Sequence, residues 1–184
     1  MGFTVDPSLV REAQRGSAAL ETLLGALWPE AYRVAFGILH DRGLAEDAAQ
    51  EACASIALGL PALRAAEAFS TWMYRIIIRH AMVSAKRSRW TAELGSAAQV
   101  QRASSDDDRL DILAAIAALP RSQRAAVVLR YYAGFNSAEI AAVLGAPAPT
   151  IRFHLMLARR RLRTALAVID ASAPAKLEVF PDVR

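Results

Sequence analysis

Apolar residues recur at helical spacing through nearly all of this chain, and inside it the pattern lapses once, from Thr91 to Arg109. Before the lapse, Tyr32, Ala35, Phe36 and Leu39 fall on one helical face, as do Leu44, Ala48, Ala52 and Ile56. Phe69, Trp72, Met73, Ile76, Ile77 and His80 repeat the theme, and Pro29 and Pro61 punctuate the segments, so four helices are expected before residue 90. The lapse itself, "TAELGSAAQVQRASSDDDR", is small and polar, which is the composition of a linker. Helices resume with "LDILAAIAAL", stop at Pro120 and continue in "RSQRAAVVLRYYAG", where Gly134 is placed to end a helix. The expectation is an all-α chain of two small helical domains, 8–90 and 110–167, joined by a flexible linker over 91–109. A tail, 168–184, shows no clear periodicity.

Composition narrows the classes. The 184 residues are 54% hydrophobic, much of it alanine, which favours helices and supplies enough apolar surface for real cores. The net charge of +4 is unevenly spread. Residues 10–60 hold four arginines against seven carboxylates, 66–90 hold five cations against one, and 110–166 hold eight arginines against two carboxylates. An acidic block followed by two basic ones suits a partner protein and a polyanion. Cys53 is the single cysteine, so no intrachain disulfide is possible and a buried structural thiol is expected. The start, "MGFTVDPS", has neither the basic nor the apolar region of a signal peptide, and Asp6 breaks the myristoylation pattern. No apolar run approaches the roughly 18 residues of a membrane helix. A cytoplasmic protein without membrane insertion is expected.

The second domain carries the sharpest local signal. In "GFNSAEIAAVLGAPAPTIRFHLMLARRRLR", Asn136 can cap a helix with Glu139 three positions on, and Gly145 ends that helix. Pro149 is tolerable as the first residue of the next helix, where the missing N–H costs nothing. There Ile151, Leu155, Ala158 and Leu162 recur on the inward face, leaving Thr150, Arg152, Phe153, His154 and Met156 outward. Two short helices about a glycine turn form a helix-turn-helix, whose second helix enters a DNA major groove. Arg152 could read guanine O6 and N7, while Arg159, Arg160, Arg161 and Arg163 could neutralise phosphates.

With these residues in view, "ALPRSQRAAVVLRYYAGFNSAEIAAVLGAPAPTIRFHLMLARRRLR" resembles region 4 of bacterial sigma-70-type transcription initiation factors, especially the extracytoplasmic-function (ECF) group. "AYRVAFGILHDRGLAEDAAQEA" and "FSTWMYRIIIRHAMVSAKR" resemble region 2 of the same family, in the same order. The resemblance implies core RNA polymerase and promoter DNA as partners, contacted through the β′ clamp helices, the β flap and the −35 and −10 elements. It also implies an anti-sigma factor. It places core binding on "AEDAAQE", that is on Glu46, Asp47, Gln50 and Glu51, and the last three share a helical face. It places −10 melting on Trp72, whose ring could stack at the opened duplex, with Arg75, Arg79, Lys86 and Arg87 contacting phosphates nearby. The 60–69 loop lies where the family captures a flipped base. Asp106, Asp107 and Asp108 would run through the polymerase toward the RNA path.

Some positions depart from the family pattern. Arg79 stands where asparagine is usual, and Val83 where a polar or acidic residue is usual. Pro149 replaces a common glycine. Phe153 and His154 replace a small and a basic residue on the recognition face, and an apolar ring there suits a thymine methyl. A different class of function, a stand-alone helix-turn-helix regulator, would bind an inverted repeat as a dimer without polymerase. An enzyme is not expected: His40, His80 and His154 are scattered, and no HExxH, CxxC, GxSxG or P-loop pattern occurs. No cofactor or metal site is expected either.

Overall fold

A computed structural model of the chain describes residues 3–93 and 107–167. The tail 168–184 and most of the expected linker, including Asp106, lie outside the described residues. Among the described residues every regular element is helical.

Helix α1 (Pro7–Ala13) starts where Asp6 accepts the Ser8 N–H at 2.8 Å, with Pro7 in the first turn, where its missing donor is harmless. That bond holds the Asp6 carboxyl below its usual range. Helix α2 (Ser17–Leu39) turns Leu23, Leu27, Ala31, Val34 and Ile38 into the core. Pro29 lies inside α2 and does not punctuate it as expected. The carbonyl it leaves without a helix partner belongs to Gly25, which faces solvent, and the buried stripe on both sides of Pro29 carries the helix through.

Helix α2 ends at His40, which takes a left-handed φ of 54° while its N–H closes onto the Phe36 carbonyl at 2.8 Å. Asp41 then caps α3 (Arg42–Gly59) by accepting the Leu44 N–H at 2.9 Å. The buried face of α3 is Ala45, Ala48, Ala49, Ala52 and Ile56, small enough for close approach to its neighbours. Two short 3₁₀ turns, Leu60–Ala62 and Ala66–Ala68, lead into α4 (Phe69–Glu93). The Gln14 amide fixes this connection by donating to the Leu60 and Leu63 carbonyls at 3.0 and 2.7 Å. In α4 the residues Met73, Ile77, Ala81 and Ala85 repeat every four positions along the buried face.

The second lobe begins with α5 (Asp107–Ala117), so Thr91–Glu93 and Asp107–Arg109 are helical ends rather than linker. Helix α6 (Arg121–Val127) runs without a break into a π-helical turn, Val128–Tyr132. Gly134, at φ 77°, lets the chain reverse as expected, and the Phe135 N–H closes onto the Leu129 carbonyl at 2.9 Å. Helices α7 (Ser137–Leu144) and α8 (Ala148–Ala167) complete the lobe. Pro149 is the second residue of α8 rather than the first, still within the turn that lacks partners for its N–H groups.

The lobes are in contact rather than merely strapped together. Arg124 donates from one side of its guanidinium to the carbonyls of Ala117 and Leu119, the latter at 3.0 Å, and from the other to the Ile38 carbonyl of α2. It thereby satisfies orphan carbonyls at the C-terminal ends of both α2 and α5. Burial, with Arg121 adding repulsion, lowers its pKa to about 10, so it remains a cation. The Phe135 ring meets Tyr74 edge-on at 4.9 Å, and Arg75 donates to the Ala142 carbonyl of α7 at 2.7 Å. Glu30, only 4% exposed, accepts from Tyr74 Oη at 2.5 Å and from Tyr132 Oη at 2.6 Å. Two helical lobes share one continuous apolar core.

Candidate nucleic-acid interface

The presentation of α8 follows from the turn before it. Asn136 Oδ1 accepts the N–H groups of Ala138 and Glu139 at 2.8 and 3.0 Å, while Glu139 accepts the Asn136 N–H at 2.7 Å. This reciprocal box fixes the start of α7. Gly145 closes it at φ 65°, a conformation that favours glycine. Helix α8 then leaves at 106° to α7. Ile151, Leu155 and Ala158 bury themselves at the expected spacing, and Leu162 packs beside them.

The opposite face of α8 is open. Arg152 and Arg160 are exposed, as are Phe153 (55%) and Met156 (52%). An exposed phenylalanine and methionine one turn apart, framed by arginines, make an apolar strip suited to a base edge within a cationic border. Arg159 donates back to the Leu155 carbonyl at 3.3 Å, and Arg161 is drawn sideways to Gln123 Oε1 at 3.1 Å. Thr150 is half-exposed. His154, expected to face outward, is half-buried, and its Nδ1 is shut from water without a partner among the described residues. It sits between the buried and the exposed faces of α8.

The residues expected at the −10 element lie along α4, where Trp72, Arg79, Val83 and Lys86 form one stripe. Arg79, Val83 and Lys86 are exposed. Trp72 is half-buried, tilted on Phe69 at 6.1 Å, and lies over Gly59 so closely that a Cβ there would stand 2.9 Å from its Cζ2. Arg75 is held by α7, and Arg87 reaches Glu51 at 3.5 Å.

The expected polymerase-binding set divides. Glu46, Asp47 and Gln50 are exposed on α3. Glu51 instead turns to α4, with His80 Nδ1 at 3.2 Å as well as Arg87. Ser55 Oγ lies 2.8 Å from His80 Nε2, so serine, histidine and carboxylate stand in the order of a nucleophile triad, which the sequence did not suggest. Ser55 sits in mid-helix, where the backbone N–H groups are bonded along α3 and none is free to hold an oxyanion. The trio ties α3 to α4. Cys53 is half-buried, and burial pushes its thiol up to about 11, as befits a structural thiol.

A capped helix turned sharply into a cationic helix, beside a second basic helix, defines a DNA-binding helix-turn-helix protein. Residues 23–91 match the sigma-70 region 2 family model and residues 109–162 match sigma-70 region 4. An RNA polymerase sigma-H factor of Pseudomonas aeruginosa is 30% identical over 180 residues, spanning 88% of this chain and 93% of its own. The ECF RNA polymerase sigma factor SigM of Mycobacterium tuberculosis is 30% identical over 129 residues, 68% of this chain and 66% of its own. In fold, the chain is similar to the sigma factor RpoE of Bartonella quintana, solved in complex with the anti-sigma factor NepR. The TM-score is 0.67 at 23% identity, covering 83% of this chain and 99% of that one. The chain belongs to the ECF group of sigma-70-type RNA polymerase sigma factors, which direct promoter-specific transcription initiation. No single helix among the described residues is long and apolar enough to cross a membrane.

Proposed function

We propose that α8 reads the −35 element and α4 engages the −10 element while Glu46, Asp47 and Gln50 dock on the β′ clamp helices of core polymerase in the cytoplasm. Arg152 and Phe153 make the base contacts, and Arg159 and Arg160 bind phosphates. Thr150 and His154 set the entry angle from behind. On α4, Trp72 stacks on the melted edge while Arg75, Arg79, Lys86 and Arg87 hold the backbone. Glu51 acts indirectly, fixing α4 against α3 through His80. Chemistry belongs to the polymerase, the chain itself being non-catalytic, and an anti-sigma protein is the expected regulator.

The observation that supports this most is the exposed Arg152–Phe153–Met156 face on a helix whose other side is anchored in the core. The test is run-off transcription by core polymerase with the purified chain added. Start sites sharing two upstream boxes are the expected result. Binding to an inverted repeat without polymerase, and no added transcription, would favour a stand-alone regulator.

A further inference from the structure

The match to region 2 begins at residue 23, so helix α1 falls outside it. This helix is nevertheless set firmly in the first lobe. Val10 and Ala13 are buried, and Phe3, Val5 and Leu9 pack against the core around them. Gln14 follows at the C-terminal end, where its own N–H closes onto the Val10 carbonyl at 3.0 Å. The half-buried Gln14 amide donates from Nε2 to two carbonyls 46 and 49 positions away, Leu60 at 3.0 Å and Leu63 at 2.7 Å. An amide NH₂ carries two hydrogens, one for each of these acceptors.

The two carbonyls belong to the connection between α3 and α4. Leu60 is buried at its near end and Ala66 at its far end, while Pro61, Ala62, Arg64 and Ala65 between them are exposed. The Leu63 N–H bonds to the Leu60 carbonyl at 3.1 Å, but that closes the turn on itself and does not fix it to the lobe. A second tie from α1, Arg11 to Glu67 at 3.0 Å, leaves its side chains 48% and 69% exposed, and ion pairs of that kind contribute little. Gln14 is the tie that holds.

The connection carries Trp72 with it. Gly59, just before Leu60, lies under the indole, where a Cβ would stand 2.9 Å from Cζ2. Phe69, just after the connection, meets the same ring tilted at 6.1 Å. The ring is thus seated between the two ends of the segment that Gln14 pins. Stacking is sensitive to such seating, because a gap of about 0.5–1 Å forfeits a quarter to a half of a dispersion contact.

We infer that Gln14 is a positioning residue for −10 engagement: its amide braces the Leu60–Leu63 turn and thereby sets the Trp72 ring for the melted edge. The inference rests on the role proposed above for Trp72, and its test separates the two.

Trp28→Phe and Trp90→Phe leave Trp72 as the sole tryptophan of the full-length chain. In that background Gln14→Glu keeps the shape and replaces both donors with a carboxylate that repels the two carbonyls. Gln14→Leu keeps the bulk and removes the donors, and Arg11→Ala is the control. Acrylamide quenching of the free chain reads the seating of Trp72. Affinity of the holoenzyme for a fork-junction probe, with the −10 non-template bases unpaired, reads its use. Both Gln14 variants are expected to raise the quenching constant. Fork affinity should fall about 5- to 30-fold in Gln14→Glu, as two hydrogen bonds are lost and the braced turn becomes the minor state. Core polymerase affinity, −35 duplex binding and circular dichroism at 222 nm should match the parent, and Arg11→Ala should match it throughout. Unchanged quenching in both Gln14 variants would overturn the brace, as would raised quenching with fork binding equal to the parent's. A parallel loss of core, −35 and fork binding would also overturn it, marking Gln14 as a folding contact. Raised quenching in a chain whose parent holoenzyme ignores the fork probe would leave the brace standing and sink the −10 role of Trp72.

Discussion

Arg124 offers the most demanding test of how the second lobe holds together. Its guanidinium reaches the carbonyls of Ala117, Leu119 and Ile38, closing the end of α5 and the end of α2 with one side chain. Arg124→Met keeps most of the apolar volume and removes every donor. The two carbonyls inside the second lobe then lose a charged partner in a half-buried site. At about 1–3 kcal/mol for each acceptor left unmet, with partial rehydration, the loss is about 3 kcal/mol. That is a large share of the roughly 5–15 kcal/mol typical of a domain, and it should lower the thermal midpoint by about 10–20 °C. Arg124→Lys should recover only part, because an ammonium cannot reproduce the planar fork that serves carbonyls on two sides. Circular dichroism at 222 nm during heating reads the outcome. A methionine variant melting within about 2 °C of the parent would refute the view that this buried cation braces the lobe.

Other expectations are simpler to state. Arg152→Ala should cost about 1–3 kcal/mol at one −35 base pair and relax selectivity there, measured by binding to a single-substitution duplex series; uniform weakening would mark a phosphate contact instead. Gly59→Ala places a methyl 2.9 Å from Trp72 Cζ2, so the indole must move. Tryptophan emission should shift, with a net stability loss of about 1–2 kcal/mol from overpacking in urea unfolding. Asn136→Ala removes one half of the capping box and should cost about 1 kcal/mol by the same measurement, with −35 affinity falling as α7 frays. His40 is half-buried with both ring nitrogens shut from water, and burial, aided by Arg124, lowers its pKa from 6.5 to about 4. Its unfolded form binds a proton more readily than its folded form, so the associated stability is present above pH 6.5 and is lost as pH falls toward 4. The loss is up to about 3 kcal/mol. His40→Asn, which tolerates the left-handed backbone, should flatten that acid limb in a pH series of unfolding curves.

The helix-turn-helix was legible because its signals are local. Asn136 with Glu139, the glycine at 145, and Ile151, Leu155 and Ala158 at helical spacing all lie within one short stretch. Pro29 misled because local propensity was read without the flanking stripe, Leu23 and Leu27 before it and Ala31 and Val34 after it, which outweighs one missing donor. The contact between lobes was not legible at all. Glu30 bonds to Tyr74 across 44 positions and to Tyr132 across 102, distances over which periodicity says nothing. Arg124 reads as one more solvated cation until the carbonyls around it are seen. One trace was present: Glu30 falls on the apolar face of its helix, and a carboxylate in such a stripe calls for donors from elsewhere. For Glu51 a helical wheel could not show that His80 on the next helix would answer it.

The wide turn at Val128–Tyr132 carries a consequence for lineage as well as for shape. A π turn holds one residue more than an α turn, and a single residue in a helix is worth about 100° of rotation. Deleting one residue from 128–132 would restore ordinary winding and swing the phenol to another bearing, while leaving the composition of the lobe almost untouched. Whether two such sequences join their lobes through this phenol is thus decided by an indel of one codon, which a tally of matching residues would scarcely notice.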